Sequence, residues 1–153
     1  MGESRRDFLK KAGLGALGLT ILPRNVFGKM GRSGSSIIAP SDQITKGIIG
    51  VGGMGNGGPH FTSDDSYRLI SVCDVDANRL QRAIDRGKRE FGQTFKGYHD
   101  FRELVQDPDI DVVHIATPPH WHGIMSVAAA MAGKDVFCEK PMTRTIGEGK
   151  KVA

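Results

Sequence analysis

From residue 44 onward, short apolar runs alternate with segments whose apolar positions recur at helical spacing. Four runs read as strands: about 44 to 51, about 68 to 73, 112 to 116 and 135 to 138. A fifth, short strand is expected near 94 to 97. Leu80, Ala83, Ile84 and Phe91 mark a helix over about 77 to 91. His99 and Asp100 precede a further helix carrying Phe101 and Leu104, and Pro108 follows it. Pro118 and Pro119 break the chain, a helix over about 122 to 133 comes next, and Gly133 ends it. A last helix begins near Ile146. Between the first two strands the spacing allows one short helix, at about 59 to 65. Asn56, Gly57 and Gly58 are poor helix starters, whereas Pro59 suits a first helical position. Regular strand–helix alternation implies a doubly wound α/β fold: a parallel sheet covered on both faces, with strand order 3-2-1-4-5.

The first strand leads into Gly50-Val51-Gly52-Gly53-Met54-Gly55, a G-x-G-x-x-G pattern. A strand that turns sharply into a helix needs residues without Cβ at the turn. Gly50 permits that turn, Gly52 lets a pyrophosphate approach the backbone, and Gly55 lets the helix pack close to the strand. Amides at the helix start then face the phosphate charge. With 21 glycines in the chain the spacing alone is weak, and context decides. The second strand ends at Asp74, 19 residues after Gly55, where a carboxylate accepts hydrogen bonds from an adenosine ribose. These residues predict a Rossmann-type dinucleotide site. Asp74, followed by Val75 and Asp76, selects NAD over NADP, because a 2′-phosphate would meet carboxylates.

Charge changes the picture only by its placement. Of the net +4, residues 1 to 46 hold +5 and residues 47 to 153 hold −1. The basic excess belongs to the N-terminal segment, and no nucleic-acid-binding stripe follows. Cys73 and Cys138 each close a predicted strand and read as buried core thiols, since neither lies in a C-x-x-C or zinc-like spacing.

Residues 4 to 10 read Ser-Arg-Arg-Asp-Phe-Leu-Lys, and an apolar run from Ala12 to Leu22 follows. That run of 11 residues falls short of the roughly 20 that span a bilayer. A charged front, a short apolar middle and a polar exit make a signal peptide. Arg5-Arg6 with Phe8-Leu9-Lys10 resembles the twin-arginine signal, which implies export of the folded protein, cofactor aboard, to the periplasm or beyond. Both cysteines would then be buried before reaching an oxidising compartment. Val26 and Gly28 fit the positions three and one before a cut. The expected organisation is a signal peptide over 1–28, a flexible Gly/Ser-rich lead-in over 29–43, and a nucleotide-binding domain over 44–153.

Two further motifs follow predicted strands at the sheet's carboxyl edge, where ligands bind in open α/β folds. They are Ala116-Thr117-Pro118-Pro119-His120-Trp121-His122 and Cys138-Glu139-Lys140-Pro141. His120 and His122 precede a helix, and each reads equally as a cap or a site residue. Trp121 either stacks on a ring or packs the rim. His114 lies within a strand and reads as a core histidine. No further ligand joins the histidines, so no metal site is expected.

Together with the glycine loop and Cys73-Asp74-Val75-Asp76, these motifs resemble the Gfo/Idh/MocA oxidoreductase family, over about residues 44 to 153. The resemblance implies hydride transfer between NAD and a sugar or polyol. It places Lys140 at the substrate and nicotinamide ribose as the catalytic residue. It adds Thr117, Pro118, His122 and Glu139 to the cofactor contacts formed by Gly50, Gly52, Gly53, Met54, Gly55 and Asp74. It implies a cis bond before Pro141. The family usually carries Asn or Asp where this chain has Pro119, so one polar cofactor contact is expected to be missing.

In that family an α+β domain follows the nucleotide fold and supplies the usual catalytic histidine. This sequence reaches Ala153 in the first turns of a helix, without that domain or a sixth strand. The chain alone is therefore expected to bind cofactor without turnover, and Lys140 could serve as acid/base only if buried. A full-length member is expected to be a homo-oligomer. The alternative activity is that of NAD-using glycosidases of the same superfamily. Those tend to alter the E-K-P segment, and the intact Glu139-Lys140-Pro141 favours the oxidoreductase.

Overall fold

The structure is a computed structural model that describes residues 43–58, 60–63 and 67–153. The twin-arginine signal and almost all of the lead-in lie outside the described residues.

Five parallel strands form one sheet: β1 (Ile44–Ile49), β2 (Tyr67–Cys73), β3 (Lys96–Tyr98), β4 (Val112–Ile115) and β5 (Asp135–Cys138). Their order is β3-β2-β1-β4-β5, as the alternating pattern predicts. The helices are α1 (Gly53–Gly57), α2 (Ala77–Phe91), α3 (Phe101–Val105), α4 (Pro119–Met131) and α5 (Ile146–Val152). β1 is central and pairs with β2 and β4, so Ile49 stands opposite Cys73 on one side and Ile115 on the other. All these strands consequently end at the same edge.

Two apolar clusters cover the two faces. Adjacent strand residues point to opposite sides, and Ile48 and Ile49 duly enter different clusters, as do Val72 and Cys73. Beneath α3 and α4 lie Ile49, Cys73, Phe101, Leu104, Val113, Ile115, Met125 and Ala129. Beneath α2 lie Ile48, Val51, Leu69, Val72, Leu80, Ala83 and Phe95, with Phe61 from the β1–β2 connection. Cys73 is 2% exposed in this core, and burial, with Asp74 adjoining, pushes its thiol up to about 12.

Helix boundaries follow local chemistry. The Asp76 carboxylate accepts the Asn78 and Arg79 amides at the start of α2, and Gly92 at φ 64° closes its end. Asp100 caps α3, and Thr145 with Glu148 forms a capping box on α5. Two boundaries differ from the sequence reading. α4 begins at Pro119 rather than near residue 122, because proline fits the first helical position. The first helix is α1, directly on the glycine loop, and not a helix over 59–65. His60 to Ser63 are non-helical, and Pro59 and residues 64–66 lie outside the described residues. Glycine costs roughly 1 kcal/mol per helical position. Tertiary packing outweighs that cost here: Gly55 is buried against the backbone of β1's end, which no other residue type would permit.

Candidate functional site

The site lies where β1, β2 and β4 end. Gly50 adopts φ +87°, a region that side chains other than glycine avoid, and its amide donates to the Cys73 carbonyl at 2.8 Å. Gly55 packs so tightly behind it that an added Cβ would stand 1.7 Å from the Gly50 oxygen. Only a residue without a Cβ fits there. Above it, nothing lies within 4 Å of where a Gly53 Cβ would be, and no side chain caps the first turn of α1. That combination leaves open backbone at the position where a phosphate would approach.

Asp74 closes the loop from the β2 side. Its Oδ2 accepts the Val51 amide at 3.0 Å and its Oδ1 accepts the Asp76 amide at 3.0 Å. The residue is 7% exposed. Each oxygen keeps a second lone pair, so the carboxylate holds the turn and can still accept a ribose hydroxyl.

These groups border a cleft of about 640 Å³, within the usual range for ligand pockets. Gly50, Gly52, Gly53, Met54, Asp74, Thr117 and Pro118 line it. Gly55 lies behind its floor. His122, Glu139 and Lys140 are not among its lining residues. The sequence reading did not anticipate the contribution of Arg79, His99, Phe101 and Arg102, whereas Trp121, read as stacking on a ring or packing the rim, is part of the cleft wall. Arg79 approaches the Gly52 surface and lies 3.7 Å from Asp76. Its signal was its place in the first turn of the helix that follows Asp74.

The remaining motif residues sit beside the cleft. The Lys140–Pro141 bond is cis, and Lys140 is exposed. Glu139 turns to two histidines: its Oε1 is 3.3 Å from His114 Nε2 and 3.9 Å from His60 Nε2. His114 is 2% exposed, and burial holds its imidazole down at about 4 despite the Glu139 contact. It is thus a neutral ring that donates to Glu139, with a buried Nδ1 that finds no partner among the described residues. His114 is packed in the core, edge-on to His60 and Phe137. His122 is also buried, its two ring nitrogens facing the Thr117 and Pro141 carbonyls. Cys138 is half-buried and Cys73 fully, both as free thiols. Among the described residues no set of side chains could hold a metal ion, and no helix is long and apolar enough to cross a membrane.

A doubly wound sheet with a glycine turn, an open phosphate position and a carboxylate at the end of β2 defines a dinucleotide-binding domain. More particularly, the chain belongs to the Gfo/Idh/MocA oxidoreductase family with an NAD-binding Rossmann fold, whose family profile matches residues 44–153. It is 38% identical over 125 residues to glycosyl hydrolase family 109 protein 2 of Shewanella sp. strain ANA-3, covering 77% of this chain and 27% of that protein. It is 33% identical over 111 residues to inositol 2-dehydrogenase of Salmonella agona strain SL483, covering 71% and 32%. Among solved structures it is similar to the WlbA dehydrogenase of Chromobacterium violaceum with NADH and UDP-GlcNAcA, at a TM-score of 0.64, 28% identity, and 72% and 31% coverage. It is also similar to myo-inositol dehydrogenase of Lactobacillus casei with NAD(H) and myo-inositol, at a TM-score of 0.63, 28% identity, and 72% and 32% coverage. The chain thus spans between about a quarter and a third of the length of these proteins.

Proposed function

We propose that this chain is the NAD-binding part of an exported oxidoreductase that acts on a sugar or polyol. The observation that carries this reading is the rigid turn from Gly50 to Gly55, locked by Asp74 beneath open backbone at Gly53. A dinucleotide would be held by Asp74, which would accept its adenosine ribose hydroxyls, and by the amides at Gly52 and Gly53, which would meet its pyrophosphate. NAD is preferred to NADP because Asp74 and Asp76 repel a 2′-phosphate, while Asp76 offsets the nearby Arg79 charge. Thr117 and Pro118 border the nicotinamide end.

Bound NAD supplies a hydride acceptor. Lys140, at the carboxyl end of β5, supplies N–H donors that orient the reacting hydroxyl. Positioning of this kind accounts for roughly 7–11 kcal/mol of a barrier in favourable cases. Glu139, held by His114 and His60, supports the backbone that carries Lys140.

A second reading has its own support in the 38% identity to a glycosyl hydrolase. In that case the same cleft would hold NAD for transient use, without net turnover of the cofactor. The test uses the protein with NAD and a panel of polyols, aldoses and aryl glycosides. Reduced cofactor that accumulates, and is lost in Lys140→Ala, supports the oxidoreductase. Aglycone release without net reduced cofactor supports the glycosidase. Neither signal from a protein that binds NAD overturns both.

A further inference from the structure

β4 and β5 leave the sheet side by side. Their last shared rung is the Glu139 amide donating to the Ile115 carbonyl at 3.0 Å. Past it, the chain diverges into the Thr117–Pro118 turn, which borders the cleft, and the Lys140–Pro141 turn, which does not. Among the described residues, the hydrogen bonds that join these two turns run through one side chain. His122, in the first turn of α4 and 1% exposed, places Nε2 2.7 Å from the Thr117 oxygen and Nδ1 2.7 Å from the Pro141 oxygen. An imidazole suits this place because its nitrogens point apart and reach both carbonyls; a neutral ring donates to one of them, and it donates to both only when each nitrogen carries a proton. The ring is buried while its two contacts are part-buried, so the imidazole is the inner link between a half-buried and an exposed turn.

We propose that His122 is a positioning residue that couples occupancy of the cofactor cleft to the segment carrying Lys140. A ligand that orders Thr117 orders Pro141 through the ring, and with it the lysine one residue before. This deepens the reading of the cleft as an NAD site and rests on it. Such coupling is a free energy shared between two places, and it is measured as the effect of one on the other.

Two substitutions divide the ring. His122→Asn keeps a side-chain nitrogen near the Nδ1 position, facing Pro141. His122→Gln keeps one near the Nε2 position, facing Thr117. His122→Phe keeps neither. The readout is backbone hydrogen exchange on this chain, with and without saturating NAD, at the Thr117 amide and at the amides of Met142 to Thr145. In the unmodified protein NAD slows both groups, by about fivefold or more, the low end of ordinary coupling. In His122→Gln the slowing at Thr117 remains and the slowing at Met142 to Thr145 disappears. In His122→Asn the second effect also disappears, because the link is broken at its other end. A merely structural histidine would raise exchange equally with and without NAD and leave the ratio unchanged. Should His122→Phe not fold, the two amide variants decide alone. Retention of the NAD effect at Met142 to Thr145 in either of them overturns the proposal. Absence of slowing at Thr117 in the unmodified protein refutes the NAD reading itself, and the coupling falls with it.

Discussion

The Asp74 carboxylate accepts the Val51 amide hydrogen at 3.0 Å, so the end of β2 holds the turn that follows β1. Its other oxygen takes the Asp76 amide. One side chain thereby shapes the glycine turn and, in the proposed NAD site, would present the ribose acceptor. Asp74→Ala leaves a buried donor without a partner, which costs about 1–3 kcal/mol. Urea unfolding should show a loss of that size, together with weaker NAD binding. Weaker binding at unchanged stability would mean that the carboxylate contributes to the ligand alone.

Two glycines in the same turn separate folding from binding. Gly55→Ala would force a methyl to 1.7 Å from the Gly50 oxygen. Overpacking of this kind costs about 1–3 kcal/mol or more, and α1 must move. Gly53→Ala meets nothing within 4 Å. Its thermal midpoint should stay within about 2 °C of the unmodified protein, since surface changes fall within roughly 0.5 kcal/mol. Its NAD affinity should nevertheless drop, because the methyl occupies the phosphate position. Equal destabilisation by both changes would contradict the described turn.

His114 gives the fold a pH dependence of known sign. Burial lowers its imidazole from 6.5 to about 4 in the folded chain. Between those values the unfolded chain binds more protons, so stability rises with pH across the window and is lost as pH falls from 6.5 toward 4. Replacing it by Asn removes the titration. Denaturation at a series of pH values should show the unmodified protein losing ground to His114→Asn on acidification through that window. Parallel curves would show that the ring is charged or solvated in the fold.

The sequence motif at Arg5 and Arg6 carries the export proposal. Changing both to Lys should retain the protein in the cytoplasm, as judged by cell fractionation, because the twin-arginine receptor reads the guanidinium pair. Unchanged export would indicate the general secretory route.

What the sequence disclosed depended on whether the information was local. The bounds of α2 are legible because Asp76, the apolar spacing from Leu80 to Phe91 and Gly92 all act within a few residues. α1 was misplaced for the opposite reason. Glycine's helix penalty is local, whereas the contact of Gly55 with Gly50 depends on how helix and strand meet. In the site, Gly50 to Gly55, Asp74 and Thr117 were legible as strand-end residues of a parallel sheet. His99 and Phe101 were not, because the sheet order brings the end of β3 and the start of α3 to the cleft and no spacing records it. The E-K-P motif named Glu139 and Lys140, but motif letters do not say where a side chain turns. Glu139 turns to His114, a partner 25 residues distant.

The central claim is that the Gly50–Asp74 cleft binds NAD, and Trp121 reports on it directly. It is the single tryptophan of the chain and lines that cleft. Titration of the purified chain with NAD and, separately, NADP should be followed by Trp121 fluorescence. NAD binding at this cleft implies a saturable change with NAD and at least about tenfold weaker binding of NADP, a difference of roughly 1.4 kcal/mol, narrowed in Asp74→Ser. A flat response to NAD, or equal or tighter binding of NADP, would contradict it.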